Sequence, residues 1–320
     1  MLSGTMTPTQ RLPHTDLDVF RVCLGGNVFG WTANEEESCA VLDAYASGGG
    51  NFIDTADVYA SWVPGQVGGE SESIIGRWMA SRGLRNRIIV ATKVGLLSGL
   101  EGLAPTTIRR AAEASLRRLG VDRIDLYYAH KDDPKTPLEE TLRGFDALVR
   151  EGKVRYVAAS NYTAPRLAEA LAISSRTGLV RFVALQPHYN LVHRGEYEGE
   201  LEAVCAHESV ACVPYFSLAK GFLSGKYRPG AEVVSARADS ARAYLDERGL
   251  RLLAALDAIA AAHHTTVAAV SLAWLLAQPT VVAPIASART VDQVRELLPA
   301  ASLVLSAEEI RRIDDGSRSR

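Results

Sequence analysis

The sequence of 320 residues lacks the cysteine patterns typical of disulfide-stabilised and zinc-binding proteins. Its four cysteines form no Cys-x-x-Cys pair and show no metal-like spacing with histidine. They are Cys23, Cys39, Cys205 and Cys212. We therefore expect reduced, largely buried thiols and no metal site.

An excess of charge of one sign is also missing. The formal net charge is −2, and neither acidic nor basic residues form a dominating run. This balance argues against duplex nucleic acid and against an anionic membrane as partners.

Long hydrophobic runs are absent as well. The two most apolar stretches, 252–262 and 267–276, are separated by His263 and His264, and each is shorter than the roughly 20 residues of a membrane span. The stretch 1–10 has no basic region followed by an apolar one, so no signal peptide is expected. These features predict core helices, a flexible stretch over residues 1–10 and a cytoplasmic protein.

No Gly-x-Gly-x-x-Gly motif follows the first predicted strand, so a Rossmann fold lacks its main signal. Instead, strand-like and helix-like segments alternate roughly eight times without a break in composition. This alternation predicts an α/β fold, a single (β/α)8 TIM barrel over residues 1–320, with a short N-terminal β-hairpin around 11–18 as a cap. A helix is predicted over 196–207, and a long loop over 228–246 after the seventh strand. The predicted barrel strands are 19–26, 51–56, 87–94, 123–130, 154–160, 182–186, 211–215 and 281–286.

Polar side chains stand where most of these strands end. Active sites of such barrels lie at the carboxyl ends of the strands, so these side chains are expected to share one face. Asp54 ends the second predicted strand with Tyr59 just beyond it, Lys93 lies near the end of the third, and His130 ends the fourth. The later strand ends carry Ser160, Asn161, Gln186, Tyr215, Ser287 and Arg289.

Each residue also has an ordinary structural explanation. Asp54 can cap a turn, a lysine that closes a strand is usually a snorkelling surface residue, and a lone histidine is usually structural. Ser160, Asn161 and Gln186 can cap helices or satisfy backbone groups at the barrel rim. Independent capping does not, however, predict an aspartate, a tyrosine, a lysine and a histidine on three successive strand ends.

Together the four residues suit a proton donor. The tyrosine pKa lies near 10, too high for efficient donation at neutral pH, and an adjacent lysine held by an aspartate is expected to lower it. Lowering it to near neutrality requires about 4 kcal/mol of differential interaction. A neutral histidine would donate a hydrogen bond to a polarised carbonyl oxygen. The set therefore predicts protonation of an oxyanion as it forms.

Seven segments of the sequence carry a resemblance to a known family. They lie at 50–59, reading Gly-Asn-Phe-Ile-Asp-Thr-Ala-Asp-Val-Tyr, and at 91–94, 125–130, 159–162, 185–190, 221–227 and 284–289. In the same order, and over nearly the whole chain, they resemble the signature segments of the aldo-keto reductase superfamily.

The resemblance implies NADPH-dependent reduction of a small-molecule aldehyde or ketone. Tyr59 would be the general acid, Lys93 and Asp54 its tuning pair, and His130 the residue that orients the carbonyl. The cofactor-binding residues that it implies are Gly26, Asn27, Asp54, Ser160, Asn161, Gln186, Tyr215, Phe216, Ser217, Leu218, Gly221, Lys226, Ser287, Arg289 and Gln293.

Within that set, Ser160, Asn161 and Gln186 would bind the nicotinamide carboxamide, and Tyr215 would stack on the ring. The pyrophosphate would lie along 216–221, while Ser287, Arg289 and Gln293 would take the adenosine end. The sequence departs from many members at Phe216-Ser217, where Ser-Pro is common, and at Leu297, where asparagine is common. The preference for NADPH over NADH then rests mainly on Arg289, whose guanidinium suits a 2′-phosphate.

Substrate contacts are open to more than one interpretation. Phe29, Trp31 and Trp62 would form an aromatic wall for an apolar carbonyl or a sugar, or pack as ordinary loop residues. The arginine-rich stretch 228–248 would fold over the cofactor, meet an anionic substrate or form a solvated linker. A second function also fits the resemblance: a regulatory subunit that binds a nicotinamide cofactor with little turnover.

Overall fold

A computed structural model describes residues 8–318 and contains an eight-stranded sheet in which every neighbouring pair is parallel. Its strands are β3 Cys23–Gly25, β4 Phe52–Asp54, β5 Ile89–Val94, β6 Ile124–Ala129, β7 Val154–Ser160, β8 Phe182–Gln186, β9 Ala211–Cys212 and β10 Ile285–Ala286. They pair in the order β10-β3-β4-β5-β6-β7-β8-β9.

Backbone hydrogen bonds join the two ends of this sheet. The Val282 amide donates to the Cys212 carbonyl, and the Ile285 amide donates to the Pro214 carbonyl, each at 2.9 Å. Val281 and Cys212 form a parallel bridge at the same seam. The sheet therefore closes on itself, which confirms the predicted (β/α)8 barrel.

Helices follow the strands and cover the outside of the barrel. They are α1 Glu35–Ser47, α2 Glu70–Arg82, α3 Pro105–Leu119, α4 Leu138–Arg150, α5 Ala164–Thr177, α6 Glu200–His207, α7 Ala238–Arg242, α8 Glu247–Ala262, α9 Val267–Leu276, α10 Val291–Leu297 and α11 Ala307–Ser317, with 3-10 helices at Ala219–Ser224 and Leu298–Ala301. The acidic run 35–37 at the start of α1 contributes to a capping box, in which Asn34 and Glu37 each bond the other's backbone amide.

An antiparallel hairpin of β1 Thr9–Arg11 and β2 Asp18–Phe20 precedes the barrel. The first predicted strand, 19–26, is therefore two elements, because Val19 and Phe20 pair within the hairpin and the barrel strand begins at Cys23. Most of the predicted flexible stretch 1–10 lies outside the described residues. Thr9 and Gln10 are inside them and are ordered in β1.

Prolines and a glycine explain three further differences from the predicted boundaries. The strands predicted over 211–215 and 281–286 are shorter because Pro214 and Pro284 have no amide to pair. The helix predicted from residue 196 begins at Glu200, after Gly199 at φ 104°. The predicted loop 228–246 contains helix α7.

The hydrophobic core has two parts. Residues such as Phe52, Leu126 and Ala158 fill the barrel interior, where Leu12 and Leu17 of the hairpin also pack. The larger cluster lies between the sheet and the helices. Three of the four cysteines are buried, Cys39 is half-buried, and all are free.

Within residues 8–318, no single helix is long and apolar enough to cross a membrane. Helices α8 and α9 reach the required length and apolar content only as a pair, and they are bent by 97° relative to each other.

Candidate active site

Strand alternation decides which polar side chains enter the barrel. Side chains two apart on a strand point to the same side, so Asp54 follows the interior residue Phe52 and Ser160 follows Ala158. The same spacing brings Lys93, His130 and Gln186 to the interior at the carboxyl ends of β5, β6 and β8. Polar residues from five neighbouring strands therefore meet at one end of the barrel.

Lys93 is the centre of this group. Its ammonium group donates to Asp54 Oδ2 at 2.7 Å, to the Tyr59 hydroxyl at 2.8 Å and to the Thr55 carbonyl at 2.9 Å. Asp54 also accepts from the Gln186 amide at 2.9 Å and from the Tyr59 hydroxyl at 3.2 Å. Three hydrogen bonds satisfy the buried ammonium completely.

Burial and Asp54 together determine the pKa of Tyr59. The direction of the shift is opposite to the lowering expected from the sequence. Burial raises the Tyr59 pKa well above 10, and the carboxylate of Asp54 raises it further. Lys93 forms a neutral pair with Asp54, so its charge does not dominate at the phenol. The predicted lowering of the Tyr59 pKa is therefore wrong for this structure, and the phenol holds its proton at neutral pH.

Lys93 and His130 are also shifted mainly by burial. Burial lowers the Lys93 pKa, although the adjacent Asp54 opposes the change. Burial, assisted by the positive charge of Lys93, holds the His130 pKa well below 6.5. The buried Nδ1 atom of His130 has no hydrogen-bond partner among the described residues. The imidazole is therefore neutral, as the sequence predicted.

A second polar group lies beside the first. The Ser160 hydroxyl donates to the Gln186 carbonyl at 2.9 Å, and the Asn161 amide donates to the His130 carbonyl at 3.0 Å. The Tyr215 hydroxyl donates to Asn161 Oδ1 at 2.9 Å. Asn161 adopts φ 56°, a left-handed conformation that these contacts hold in place.

Both groups border a cavity of about 800 Å³. Many of the residues assigned to the site from sequence line it: Asn27, Trp31, Asp54, Tyr59, Trp62, His130, Ser160, Asn161, Gln186, Tyr215, Phe216, Ser217, Leu218, Gly221, Lys226, Ser287, Arg289 and Gln293. The rings of Trp31 and Trp62 pack edge to face with their centroids 5.6 Å apart. The ring centroid of Trp62 lies 6.2 Å from that of Tyr59. The two tryptophans and Tyr59 form one aromatic wall.

Three assigned residues lie behind the lining. Lys93 is beneath Tyr59 and Asp54, fully buried. Phe29 is also fully buried, in the core outside the strands, so the expected substrate contact is wrong. Gly26 supports Asp54, because its amide donates to the Asp54 carbonyl at 2.7 Å and a Cβ there would lie 3.1 Å from the same oxygen. This close packing favours glycine at the position.

Four cations face the cavity, and sequence reasoning assigned only two of them to the cofactor. Within residues 8–318, Lys220, Lys226, Arg237 and Arg289 have no carboxylate within 4.0 Å. Lys220 was missed, although it lies in the stretch expected to pass the pyrophosphate. It adopts φ 58°, and Phe216 and Ala219 of the same stretch also have positive φ. Such strained backbone commonly marks a ligand-binding loop.

This donor set fits a nicotinamide dinucleotide. The ligand carries several negative charges, and unpaired lysine and arginine side chains are the usual partners of phosphate groups. The polar groups of Ser160, Asn161 and Gln186 stand near Tyr59, while Arg289 and Gln293 lie toward α10, where the Gln293 side chain accepts from the Arg289 amide at 2.8 Å. Polar and cationic side chains are thus spread along one elongated cavity.

A (β/α)8 barrel that gathers titratable side chains at the carboxyl ends of its strands has the architecture of barrel enzymes. The model of the Aldo/keto reductase family matches residues 21–317. The chain belongs to this family, whose members are oxidoreductases that act on small-molecule carbonyls and generally bind nicotinamide cofactors.

Similar proteins cover almost the whole chain. An uncharacterized oxidoreductase, YrpG, from Bacillus subtilis is 34% identical over 95% of this chain and 94% of its own length. Protein tas from Escherichia coli is 31% identical over 95% of this chain and 96% of its own. Norsolorinic acid reductase A from Aspergillus parasiticus is 31% identical over 95% of this chain and 79% of its own length.

Proposed function

We propose that this protein reduces an aldehyde or ketone to an alcohol with NADPH, and that Tyr59 is the general acid. The observation that carries the proposal is the 2.8 Å hydrogen bond from Lys93 to the Tyr59 hydroxyl at the floor of the cavity. A buried cation that donates to a phenol oxygen stabilises the negative charge left when the phenol gives up its proton.

The raised pKa of Tyr59 keeps the proton available for a reduction but makes the phenol a weak acid, so the proton transfer would depend on the hydrogen bond from Lys93. At neutral pH the phenol is protonated, and its hydrogen points toward Asp54 over a 3.2 Å contact, longer than an ideal O–H···O bond. A carbonyl oxygen in the cavity would take over this hydrogen bond. The proton passes from Tyr59 to that oxygen, Lys93 stabilises the phenolate, and solvent later restores the proton.

His130 would position the carbonyl. Its ring centroid lies 6.2 Å from that of Tyr59, and the ring lines the same cavity. Its lowered pKa keeps it neutral, so it donates a hydrogen bond without competing with Tyr59 as an acid. Two donors would then fix the carbonyl oxygen.

NADPH would supply the hydride that bonds to the carbonyl carbon, completing the two-electron reduction. Ser160, Asn161 and Gln186 would hold the nicotinamide carboxamide and Tyr215 would stack on the ring, with the Asn161 contact fixing the tyrosine. Lys220 and Lys226 would meet the pyrophosphate. Arg289, which faces the cavity, would bind the 2′-phosphate, and this contact would favour NADPH over NADH.

The test is NADPH consumption at 340 nm with a panel of aldehydes, ketones and ketosugars. Tyr59→Phe removes only the proton donor and should lower kcat by at least about 100-fold with unchanged NADPH binding. Tyr156→Phe is the matched control, because Tyr156 bonds Asp16 of the hairpin region and should leave kcat unchanged. Cofactor binding without turnover on any carbonyl would contradict the proposal and favour the regulatory subunit.

A further inference from the structure

Two histidines stack on each other in the connection between β8 and α6. The ring centroids of His188 and His193 lie 3.6 Å apart, and the angle between the ring planes is 12°. His188 also stacks on Tyr215, with centroids 5.3 Å apart and an angle of 20°. The two imidazoles are therefore packed against the tyrosine that would contact the nicotinamide.

Both imidazoles have a nitrogen without a partner. The Nε2 atoms of His188 and His193 are buried and make no hydrogen bond within residues 8–318. The Nε2 atom of His193 lies 3.2 Å from Oε1 of Glu196, and one ligand atom from each of the three residues lies within 4.8 Å of the other two. A buried polar nitrogen without a partner is unfavourable, and a neutral imidazole nitrogen is a common metal ligand. A metal ion between these atoms would satisfy both nitrogens.

The backbone holds the two histidines in place. Asn190 and His193 each donate a backbone hydrogen bond to the other's carbonyl at 3.1 Å, and the Asn190 side chain accepts from the His193 amide at 3.0 Å. His188 forms a parallel bridge with Tyr215. The side chain of Glu196, in contrast, is 73% exposed and can turn toward the histidines at little cost. The group thus combines two ligands on a fixed backbone with one adaptable ligand.

We propose that His188, His193 and Glu196 bind a divalent transition-metal ion such as Zn²⁺. Two imidazoles and one carboxylate are a donor set that zinc accepts, with water in the fourth position of a tetrahedral site. Ligand atoms on one zinc ion lie about 3.3 Å apart, because the Zn–N bond is about 2.0 Å long. A turn of Glu196 and a tilt of the imidazoles would bring the three atoms to this spacing.

Ion binding should also affect the proposed nicotinamide pocket, a consequence that rests on the proposed function. The lone pairs of two nearly parallel rings do not meet at one point, so at least one imidazole must tilt to bind the ion. A tilt of His188 would change the surface on which Tyr215 packs. We therefore expect zinc to weaken the binding of NADPH, and NADPH to weaken the binding of zinc by the same factor.

The test of the site is a calorimetric titration of Zn²⁺ into the full chain, without an affinity tag and after treatment with a chelator. We expect one ion per chain. His188→Gln and His193→Gln should each raise the dissociation constant of zinc by at least about 10-fold, and Glu196→Gln should raise it by a smaller factor. Mg²⁺ should show no saturable binding, because it prefers oxygen ligands.

His207→Gln is the matched control. His207 is exposed and lies 3.1 Å from the carboxylate of Glu208, so this pair resembles His193 with Glu196 but lacks the second histidine. Its loss should leave the zinc affinity unchanged. Equal zinc affinity in the wild type, His188→Gln and His193→Gln would overturn the proposal. A thiolate-to-metal charge-transfer band with Co²⁺ would also overturn it, because the ion would then be bound by cysteine.

The link to the cofactor is measured by fluorescence titration of NADPH with and without saturating Zn²⁺. The dissociation constant of NADPH should rise by at least about threefold in the wild type and by less than about 1.5-fold in His193→Gln. An unchanged NADPH affinity in the zinc-bound wild type would overturn the link. A protein that binds no NADPH would contradict the proposed function alone, because the zinc titration does not depend on the cofactor.

Discussion

The ammonium group of Lys93 lies 2.7 Å from the carboxylate of Asp54, and the two side chains are only 0% and 3% exposed. Opposite charges this close form a pair without net charge, so the pair shifts a neighbouring pKa less than a lone lysine does. This explains why burial determines the protonation of Tyr59. Each of the two buried charges is stabilised by the other, because neither side chain is in contact with water.

Lys93→Met should destabilise the protein as well as inactivate it. The substitution leaves the carboxylate of Asp54 buried without its cation, which typically costs about 3 kcal/mol or more of unfolding free energy. Urea denaturation at neutral pH measures this loss. The double variant Asp54→Asn/Lys93→Met should recover much of the stability but none of the activity. Near-normal turnover in Lys93→Met would remove the proposed role of the pair.

The rate of carbonyl reduction should depend little on pH near neutrality. The lowered pKa of His130 keeps the imidazole neutral, and the raised pKa of Tyr59 keeps the phenol protonated. We expect kcat/KM at saturating NADPH to vary less than about threefold between about pH 6 and pH 9. A rate that falls below about pH 7, and no longer falls in His130→Gln, would contradict the neutral imidazole.

Asp57 should make the protein less stable as pH rises. Its carboxyl group is fully buried, its oxygens lack hydrogen-bond partners among the described residues, and burial with the charge of Glu72 raises its pKa from 3.8 to about 7. Between these two values the folded state binds a proton that the unfolded chain has lost, so stability falls as pH rises through this window.

Asp57→Asn should therefore gain stability relative to the wild type by about 2 kcal/mol when the pH is raised from about 5 to about 8. Urea denaturation at the two pH values measures the difference. Asp122→Asn is the control, because Asp122 is exposed and its substitution should leave the pH dependence unchanged. A wild-type stability that rises over the same interval, and a variant that does not change this trend, would argue against the raised pKa.

Arg289→Gln should weaken the use of NADPH and leave the use of NADH almost unchanged. The guanidinium faces the cavity without a carboxylate partner among the described residues, and a lost pair with a 2′-phosphate should lower kcat/KM for NADPH by about 10-fold or more. Steady-state rates with both cofactors give the ratio of kcat/KM for NADPH to kcat/KM for NADH. Arg295→Gln, which changes an exposed arginine paired with Asp292, should keep it. An equal loss of kcat/KM with NADPH and with NADH would show that Arg289 does not bind the 2′-phosphate.

Much of the fold was predictable from local signals. The bounds of β7 and β8 agree with the predicted ones, because an apolar run ends there at the polar residues Ser160 and Gln186. The first strand was less predictable. Val19, Phe20 and Cys23 form one apolar run in sequence, and only pairing with Thr9–Arg11 divides it into a hairpin strand and a barrel strand.

The candidate site was predictable in position more than in detail. The order of polar residues at strand ends placed Asp54, Tyr59 and Lys93 together, because parallel strands expose their carboxyl ends on one face. Phe29 was misplaced, since an aromatic residue in a loop gives no local sign of whether it faces the cavity or the core. Its complete burial is a result of long-range packing.

The sequence alone determined the barrel and the face on which its chemistry lies, because strand alternation and strand order are local patterns repeated along the chain. Only the tertiary structure decided the direction of the Tyr59 pKa shift and the position of the Arg237 guanidinium beside the Trp31 ring. A pKa depends on burial and on every nearby charge. The ion pair of Lys93 with Asp54 changes the net charge near Tyr59, and this pair forms only when distant segments meet in the folded protein.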